Sequence, residues 1–484
     1  MLRFRFRILV LVSFLFLWIL PETVLVTAEV SPTEVSPAEA ERFGKEIRQH
    51  WVTEIPLDES ALTQSGIRRL ESQHLILYTD LAASGQVDEL PKLFDQLIPL
   101  LCDYFELNRQ NYESFKVEGF LIDDFEKFKS GGAVLQVPKL RNGYALRCRI
   151  WVRNPGSDYY RRHLLLHEGT HAFMGYAFGV WGPPWYREGT AELLGTHRLE
   201  NGHLTLAYFP KSRNELSRWG RIDLVRDNLV KNHGRTIKGI FELDSEDYDE
   251  NTAYGWSWAF AAFCENHPRY RTAFRQTAWK LYGKPDGAAE RFLELLLKNI
   301  QKESPEWNEQ EILFHLDNDW IDFISHLDYG YDFERTKIDY NKEAGLISSD
   351  EVEIPVCSDK GWQSSGVRLE RGKTYRFAAS GRFQLAEKPK IWWSEPNGIT
   401  LRYYQSVPIG TLLATLIPDI EERFLTQTET AGVGFYVPKT IGLSETWKAE
   451  VSGELFFRIN DFPSELSDNN GEATVKLTVL PVTD

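Results

Sequence analysis

Two kinds of hydrophobic pattern divide the chain, and one replaces the other near Ser348. Before that residue, apolar positions recur mostly with a helical period, as in the amphipathic stretch from Val87 to Phe105. After it, short alternating runs are separated by turn residues. The pattern therefore predicts an α+β part, residues 61–345, followed by an all-β sandwich, residues 350–484.

Short strand-like runs precede the helical region of the α+β part. Residues 73–78 and 117–122 are rich in aliphatic and aromatic side chains, and residues 144–152 alternate like a single strand. The last run comes directly before a helical stretch that begins near Tyr159. An edge strand at that place could pair with an extended substrate backbone, or it could be purely structural.

The all-β part shows the same alternation at regular spacing. Its clearest strand-like runs are residues 367–369, 374–379, 434–437, 453–459 and 473–479. Runs of this length with turns between them are typical of a β-sandwich.

The N-terminus has the pattern of an export signal. A basic start is followed by an apolar run from Ile8 to Leu20, and small residues allow cleavage after Ala28. Residues 1–28 are therefore a predicted signal peptide, and residues 29–60 a linker or pro-segment. The prediction is a secreted, periplasmic or cell-surface protein. An uncleaved N-terminal anchor is the alternative, and only that case implies membrane contact.

Charge and cysteine content narrow the function. The net charge of -15 argues against nucleic acid and anionic membrane surfaces as partners. Export would permit disulfides, but sequence alone does not determine their pairing. The four cysteines lack a C-x-x-C spacing, which disfavours cysteine as a metal ligand; they are Cys102, Cys148, Cys264 and Cys357.

The most specific chemical signal is the H-E-x-x-H pattern at residues 167–171. On a helix, His167 and His171 lie on one face and can bind the same ion. Glu168, beside the first histidine, can reach a metal-bound water. The residues before and after the motif continue a helical pattern, which is the context that the motif requires.

A catalytic zinc takes three protein ligands and leaves one position open. Glu188, in the segment WYREGTAE, is the predicted third ligand. Glu192 lies four residues further on the same helical face, where a carboxylate could hydrogen-bond a ligand histidine and determine its tautomer. The reverse assignment of Glu188 and Glu192 stays open.

The segments HEGTH and WYREGTAE together resemble the gluzincin metallopeptidases. The resemblance covers mainly residues 159–195 and implies a zincin-like fold around the active-site helix. It also implies zinc bound by His167, His171 and Glu188, with Glu168 as general base and acid acting on a peptide or protein substrate.

Two further residues could stabilise the oxyanion of a tetrahedral intermediate. Tyr254 begins a hydrophobic helix that could pack behind the zinc, and His233 lies in the same helical region. The simpler interpretation, a core aromatic for Tyr254 and a surface histidine for His233, is favoured for each. Of the two, Tyr254 is the better candidate because it begins a helix expected to face the site.

A loop in the all-β part, residues 460–471, carries several hard oxygen donors that suit Ca²⁺. A polar hairpin loop is the simpler interpretation. The loop is similar to the calcium loop of the bacterial galactose-binding lectins. That resemblance, over residues 360–480, implies Ca²⁺ bound by the side chains of Asp461, Asp468 and Asn469 and by the carbonyl of Glu465, with a further carbonyl near Leu385.

The sugar-contact segment departs from the pattern of these lectins. The segment at the position of the lectins' sugar contacts, residues 395–402, lacks the expected His and Gln. Trp392 and Trp393 could stack on a sugar ring or pack in the core.

The sequence therefore predicts a secreted zinc metallohydrolase, most readily a peptidase. Its C-terminal sandwich would attach the enzyme to a glycan, a surface or a substrate. The alternative is a calcium-dependent carbohydrate-binding or adhesion protein on a catalytically silent zincin scaffold. The intact Glu168 argues against that alternative, and hydrolysis of a non-peptide amide stays open.

Overall fold

The computed structural model describes residues 56–134, 137, 140–179, 182–280, 287–340, 344–347, 351–419, 434–435 and 438–481. The predicted signal peptide and all but the last five residues of the predicted linker lie outside these ranges. Among the described residues, no helix combines the length and apolar character needed to cross a bilayer.

Helices form most of the first part of the chain. They are α1 Glu59–Gln64, α2 Gly85–Asp88, α3 Leu90–Tyr104, α4 Asp158–Phe178, α5 Pro184–Gly195, α6 Arg221–Val230, α7 Ile237–Phe241, α8 Asn251–Asn266, α9 Arg271–Lys280, α10 Ala288–Glu303, α11 Glu309–Ser325 and α12 Phe333–Thr336. The predicted helix from Val87 to Phe105 is in fact α2 and α3, and α3 continues through Pro99.

The first part also contains a five-stranded sheet. Its strands are β1 Arg68–Glu71, β2 Leu75–Thr79, β3 Val117–Ile122, β4 Gly143–Leu146 and β5 Arg149–Arg153, in the order β1-β2-β3-β5-β4. The central strands β2, β3 and β5 are parallel, and the two outer pairs are antiparallel. A short hairpin, β6 Arg198–Glu200 and β7 His203–Thr205, follows α5.

The predicted single strand over residues 144–152 is wrong in one respect. The chain reverses at Arg147, whose φ is +54°, so the run folds back on itself as β4 and β5. Tyr144 pairs with Trp151 across this hairpin. β4 is consequently the outermost strand on its side of the sheet, as an edge strand is expected to be.

The sheet separates two apolar layers. A small cluster that includes Phe120, Phe128 and Trp151 covers one face. The other face packs against the helices in the main core, where Phe94, Leu166 and Trp256 are fully buried. Burial of this apolar surface is the main term that stabilises the α+β part.

The helix that carries the H-E-x-x-H motif, α4, lies inside this core. Ser157 caps its start by accepting a hydrogen bond from the Tyr160 amide at 3.3 Å. Gly179 ends it with a φ of +74°. Most of its side chains are buried, because α4 packs against β4 and β5 on one side and against α3 and α5 on others.

The second part of the chain is a β-sandwich of two large sheets, with a separate two-stranded sheet beside them. Its strands are β8 Gly345–Leu346, β9 Glu351–Cys357, β10 Gln363–Leu369, β11 Thr374–Ser380, β12 Phe383–Ala386, β13 Trp392–Ser394, β14 Asn397–Tyr404, β15 Val407–Pro418, β16 Lys439–Thr440, β17 Ser444–Lys448, β18 Gly453–Ile459 and β19 Glu472–Leu480. The sheet β14-β15-β18-β10-β8 and the sheet β17-β11-β19-β9 share one apolar core.

Four of the five predicted strands of the sandwich are present, and β18 has the predicted bounds. The predicted strand at residues 434–437 is not confirmed. Gly434 and Phe435 form a bend and a turn, and the other two residues lie outside the described ranges.

The helical part and the sandwich meet at an apolar seam. Trp362 and Phe456 of the sandwich pack there with Ile338 and Tyr340. Polar contacts surround this seam. The Trp362 indole donates to Asp322 Oδ1 at 3.1 Å.

Candidate metal centre

Three elements of the α+β part bring the predicted site residues together. Helix α4 carries the H-E-x-x-H residues, α5 carries Glu188 and Glu192, and α8 carries Tyr254 in its first turn. Close helix packing requires the glycine of the E-G-x-A-E segment. A β-carbon at Gly189 would lie 2.7 Å from the Ser257 carbonyl oxygen of α8.

The three predicted ligand atoms form a compact triangle. His167 Nε2 and His171 Nε2 are 3.1 Å apart. Glu188 Oε2 lies 3.2 Å from His171 Nε2 and 3.3 Å from His167 Nε2. Tetrahedral zinc with ligands at about 2.05 Å has ligand–ligand edges of about 3.3 Å. The residues present therefore fit a zinc ion.

The charge of the centre also favours a cation. The carboxyl groups of Glu168, Glu188 and Glu192 are all buried. Two guanidinium groups compensate in part: Arg187 Nε donates to Glu188 Oε1 at 2.8 Å, and Arg221 binds Glu192. With all three glutamates ionised, one negative charge stays uncompensated, and a bound cation would offset it.

Glu192 occupies the predicted position beside a ligand histidine. Its Oε1 lies 3.5 Å from His167 Nδ1, on the side of the ring that faces away from Glu188. Arg221 from α6 holds this carboxylate with two hydrogen bonds, at 2.9 and 3.0 Å. This geometry favours Glu188 as the metal ligand and Glu192 as the group that orients the ring of His167.

Burial and neighbouring charges set the pKa values of these groups apart. Burial raises the pKa of Glu168 to about 8, although His167 opposes the shift. Burial also tends to raise the pKa of Glu188, but His171 and His167 lower it more. The pKa of Glu188 is therefore well below the ordinary range of a glutamate. Burial lowers the pKa of His171. For His167 the nearby carboxylates outweigh burial and raise the pKa to about 9.

Glu192 is kept ionised in the same way. Burial alone would raise its pKa, but Arg221 and His163 lower it below that of a free glutamate. Glu168 thus differs from the other two glutamates in holding a proton more readily.

Glu168 points toward the edge strand of the sheet. A β-carbon at Gly143, the first residue of β4, would be 2.1 Å from Glu168 Oε1. The carboxyl group therefore rests against the backbone of the strand that could bind an extended substrate. Glu168 directly follows the ligand His167 on α4, and His167 and Glu188 are near enough to influence its pKa. A general base is therefore available beside the proposed ligands.

Of the two predicted oxyanion residues, only Tyr254 is at the centre. Its ring centroid lies 6.3 Å from that of His167 and 5.0 Å from that of Tyr248. Burial raises the pKa of the Tyr254 phenol, so this hydroxyl keeps its proton and can donate. His233 is exposed in the segment after α6, and it is not among the residues that contact the centre within the described ranges.

Sequence reasoning missed three residues that contact the centre. His163 lies one turn before His167 on α4, and the continued four-residue spacing could have revealed it. Arg187 directly precedes a predicted ligand. Arg221 is 29 residues from Glu192 and had no sequence signal, because only the packing of α6 brings it to the site.

The predicted calcium loop is partly assembled in the sandwich. Asn469 Nδ2 donates to Asp461 Oδ2 at 3.0 Å, and Asn469 Oδ1 is buried without a hydrogen-bond partner among the described residues. Asp468 Oδ2 accepts from the Glu387 amide at 3.1 Å. The Glu465 carboxylate is bound by Arg402, and Glu465 is the N-cap of the short 3-10 helix Leu466–Asp468. A buried, unpaired amide oxygen beside a buried carboxylate fits Ca²⁺.

The loop does not form a cluster of three carboxylates. Within the described residues, only two groups place three or more His, Cys, Asp or Glu ligand atoms together, and both are at the centre on α4 and α5. A calcium ion would therefore depend on the Asn469 side chain and on carbonyls such as that of Leu385.

The two tryptophans of the sandwich differ in environment. Trp392 packs against the sandwich core, whereas Trp393 is 47% exposed with the Arg382 guanidinium 5.0 Å from its ring. Trp393 alone has a face available for stacking. All four cysteines are present as thiols, and Cys102 and Cys264 are buried.

Comparison with known proteins does not assign a family. No family model and no curated protein matches the chain. The EclA N-terminal domain, described as a PllA-like lectin, is 18% identical; the match covers 28% of this chain and all of that one, with a TM-score of 0.21.

Two solved structures of a metallopeptidase are also similar to this chain. IMPa from Pseudomonas aeruginosa, in complex with an O-glycopeptide, is 13% identical over 49% of this chain, with a TM-score of 0.15. IMPa metallopeptidase in complex with T-antigen is 10% identical over 92%, with a TM-score of 0.16. The chain covers 24% and 54% of those proteins. Identities and scores this low do not support an argument about function.

Proposed function

We propose that this protein is a zinc-dependent metallohydrolase and that its substrate is a peptide or protein. The observation that carries the proposal is the triangle of His167 Nε2, His171 Nε2 and Glu188 Oε2, with edges of 3.1 to 3.3 Å. These three residues would hold the zinc. The buried carboxyl group of Glu168 beside them supplies the acid–base function that hydrolysis needs.

Zinc bound at this centre would lower the pKa of a water molecule and polarise the scissile carbonyl. Glu168 takes a proton from the attacking water and later gives it to the leaving nitrogen. The Tyr254 hydroxyl donates a hydrogen bond to the oxygen that becomes negative in the transition state. Glu192 orients His167 through Nδ1.

The free edge of β4 provides a binding surface for an extended substrate. An added strand would place its scissile bond near Glu168, because that carboxyl group rests against Gly143 at the start of β4. Main-chain pairing of this kind suits a peptide better than a small amide, which has no backbone to align.

The sandwich supports a second, separate proposal. The buried Asp461 and the unpaired Asn469 Oδ1 favour a Ca²⁺ site, and the exposed face of Trp393 favours contact with a sugar ring. The sandwich would then attach the enzyme to a glycan. Export by residues 1–28, to the cell surface, the periplasm or the medium, completes this proposal.

Elemental analysis tests the metal centre first. The chain from residue 29 is purified as wild type, Glu188→Ala and Glu192→Ala, and the zinc content of each is measured. We expect about one zinc per wild-type chain, loss in Glu188→Ala and retention of most of it in Glu192→Ala. Loss of zinc only in Glu192→Ala would make Glu192 the ligand and Glu188 the supporting group. A wild type that takes up no zinc would refute the proposed zinc-dependent hydrolase.

A peptide-library digest then tests the chemistry. Glu168→Gln is the matched control, since it keeps the shape of the side chain and the zinc ligands but lacks the base. Cleavage by the wild type and not by Glu168→Gln supports the proposal. Equal cleavage by both would point to a contaminating peptidase. Zinc without cleavage of any peptide would favour the silent scaffold.

A further inference from the structure

A second group of potential metal ligands overlaps the proposed centre. His163, His167 and Glu192 also place their ligand atoms within 4.8 Å of one another, and all three are buried. His163 Nε2 is 3.4 Å from Glu192 Oε2, and His167 Nδ1 is 3.5 Å from Glu192 Oε1. Both nitrogens of His163 are buried without a hydrogen-bond partner among the described residues.

The two groups share one imidazole ring. His167 faces Glu188 with Nε2 and Glu192 with Nδ1. An ion in the first group leaves Nδ1 free to donate its proton to Glu192. An ion in the second group needs Nδ1 without a proton and needs a Glu192 oxygen as a ligand. Glu192 can either accept a hydrogen bond from His167 Nδ1 or act as a metal ligand. Which of these it does decides which nitrogen of His167 can bind the metal.

Arg221 keeps Glu192 from acting as a metal ligand. Its Nε and Nη2 occupy both carboxylate oxygens, at 2.9 and 3.0 Å, in the two-point geometry that arginine forms with carboxylates. The guanidinium also places a positive charge next to the second group, where it repels a cation. Lysine cannot reproduce this arrangement, because it offers a point charge and no rigid fork.

We infer that Arg221 is a positioning residue that directs the metal to His167, His171 and Glu188 by closing the competing group of His163, His167 and Glu192. The inference rests on the proposed metal centre, but it does not depend on peptidase activity. Without Arg221, Glu192 becomes available as a ligand and the orientation of His167 loosens.

The test measures zinc affinity by competition with a chelator, on the full chain from residue 29. We expect Arg221→Gln to bind zinc 10- to 100-fold more weakly than wild type, which is the usual effect of losing a group that orients a ligand. Arg221→Lys should lie between the two. Arg149→Gln is the matched control. Arg149 is also buried and paired with a glutamate, Glu118, at 2.7 Å, but this pair lies on the sheet and does not contact the proposed ligands.

A second measurement identifies the ligands. Glu188→Ala should bind little zinc, whereas Glu188→Ala with Arg221→Gln should regain about one ion through the second group. Adding His163→Ala should abolish this regained binding. Cobalt(II) in place of zinc should give different visible absorption bands in the wild type and in the double variant, since the ligand sets differ.

Several outcomes would overturn the inference. One is a folded Arg221→Gln protein, checked by near-UV circular dichroism, that binds zinc like wild type. Another is a double variant that binds no more zinc than Glu188→Ala alone, or that keeps its ion after His163→Ala. If Arg221→Gln does not fold, Arg221→Lys decides: wild-type affinity and cobalt spectrum would refute the selective role.

The outcomes also separate this inference from the proposed function. A wild type that binds zinc but cleaves no peptide, together with weaker zinc binding by Arg221→Gln, would refute the proposed peptidase and support the inference. Absence of binding in both proteins would refute the inference as well.

Discussion

The carboxyl group of Glu168 lies against the α-carbon of Gly143, so a β-carbon at that position would be 2.1 Å from Glu168 Oε1. An alanine there must displace the carboxyl group or the edge strand. We expect Gly143→Ala to keep its zinc and to lower kcat about 100-fold, the cost of misplacing a reacting group by about 1 Å. Turnover and zinc content of the purified variant check this.

Gly85→Ala is the control for that substitution. Nothing lies within 4 Å of a β-carbon at Gly85, and its backbone is in the ordinary region, so turnover should not change. Full activity in Gly143→Ala would show that Glu168 is not held by β4.

The Tyr254 hydroxyl should contribute to kcat and not to metal binding. We expect Tyr254→Phe to lower kcat about 100-fold, because one donor to the developing negative charge is lost. Steady-state kinetics and zinc analysis measure this. Tyr248→Phe is the comparison, since the Tyr248 hydroxyl is 2.5 Å from Ser257 Oγ and is already engaged. An effect on KM alone would assign Tyr254 to substrate binding.

Removing the metal should destabilise the α+β part. Three buried carboxyl groups would lose a compensating cation. Free zinc at 100 times its Kd should stabilise the fold by about 2.7 kcal/mol. Thermal unfolding with and without a chelator measures the shift in Tm. Glu188→Ala should not respond to the chelator; an equal response there would place the metal elsewhere.

Calcium should act on the sandwich and not on the zinc centre. We expect added Ca²⁺ to raise the Tm of wild type but not of Asn469→Ala, because the unpaired Asn469 Oδ1 is a predicted ligand. Calorimetric titration gives the affinity. Asn397→Ala, at an exposed asparagine of β14, is the control. Unchanged calcium binding in Asn469→Ala would refute the site.

His197 should make the protein sensitive to mild acid. Its Nδ1 donates to the Gly195 carbonyl at 2.9 Å, and its Nε2 accepts from Arg162 Nε at 3.2 Å. Burial lowers the pKa of His197 from 6.5 to about 3. The unfolded chain therefore binds a proton below pH 6.5 that the folded protein excludes, so stability falls as the pH falls.

Between pH 7 and pH 5 this effect is about 2 kcal/mol. Urea unfolding of wild type and His197→Gln at both pH values measures it. We expect the wild type to lose about 2 kcal/mol more than the variant. Equal losses would mean that His197 is protonated in the fold.

The sequence was sufficient for features that depend on local spacing. The i, i+4 pair His167 and His171 has to share a helical face, and β3 and β18 follow directly from short runs rich in apolar residues. Glu188 and Glu192 could be ranked as ligand and support before their positions were known. The structure brings these residues together as the helical spacing requires.

Features that depend on distant packing could not be predicted. Arg221 reaches Glu192 only through the placement of α6, and Gly143 reaches Glu168 only because the run over residues 144–152 reverses at Arg147. A positive φ at an arginine has no strong sequence signal, so the run read as one strand. The turn at Gly434 and Phe435 was missed because Phe435 is apolar and buried in the seam, as a strand residue would be.

The seam between the helical part and the sandwich limits how this protein can be divided. Trp362 and Phe456 are completely enclosed there, and Arg458 of β18 reaches across to His326 at 3.0 Å while also donating to the Asp461 carbonyl at 3.2 Å. Severing the chain near residue 345 would expose Trp362 and Phe456 to water and would remove the histidine acceptor of Arg458. The sandwich is therefore not an independent domain that can be removed without loss. Another domain in its place would need an apolar surface complementary to the seam on the helical part.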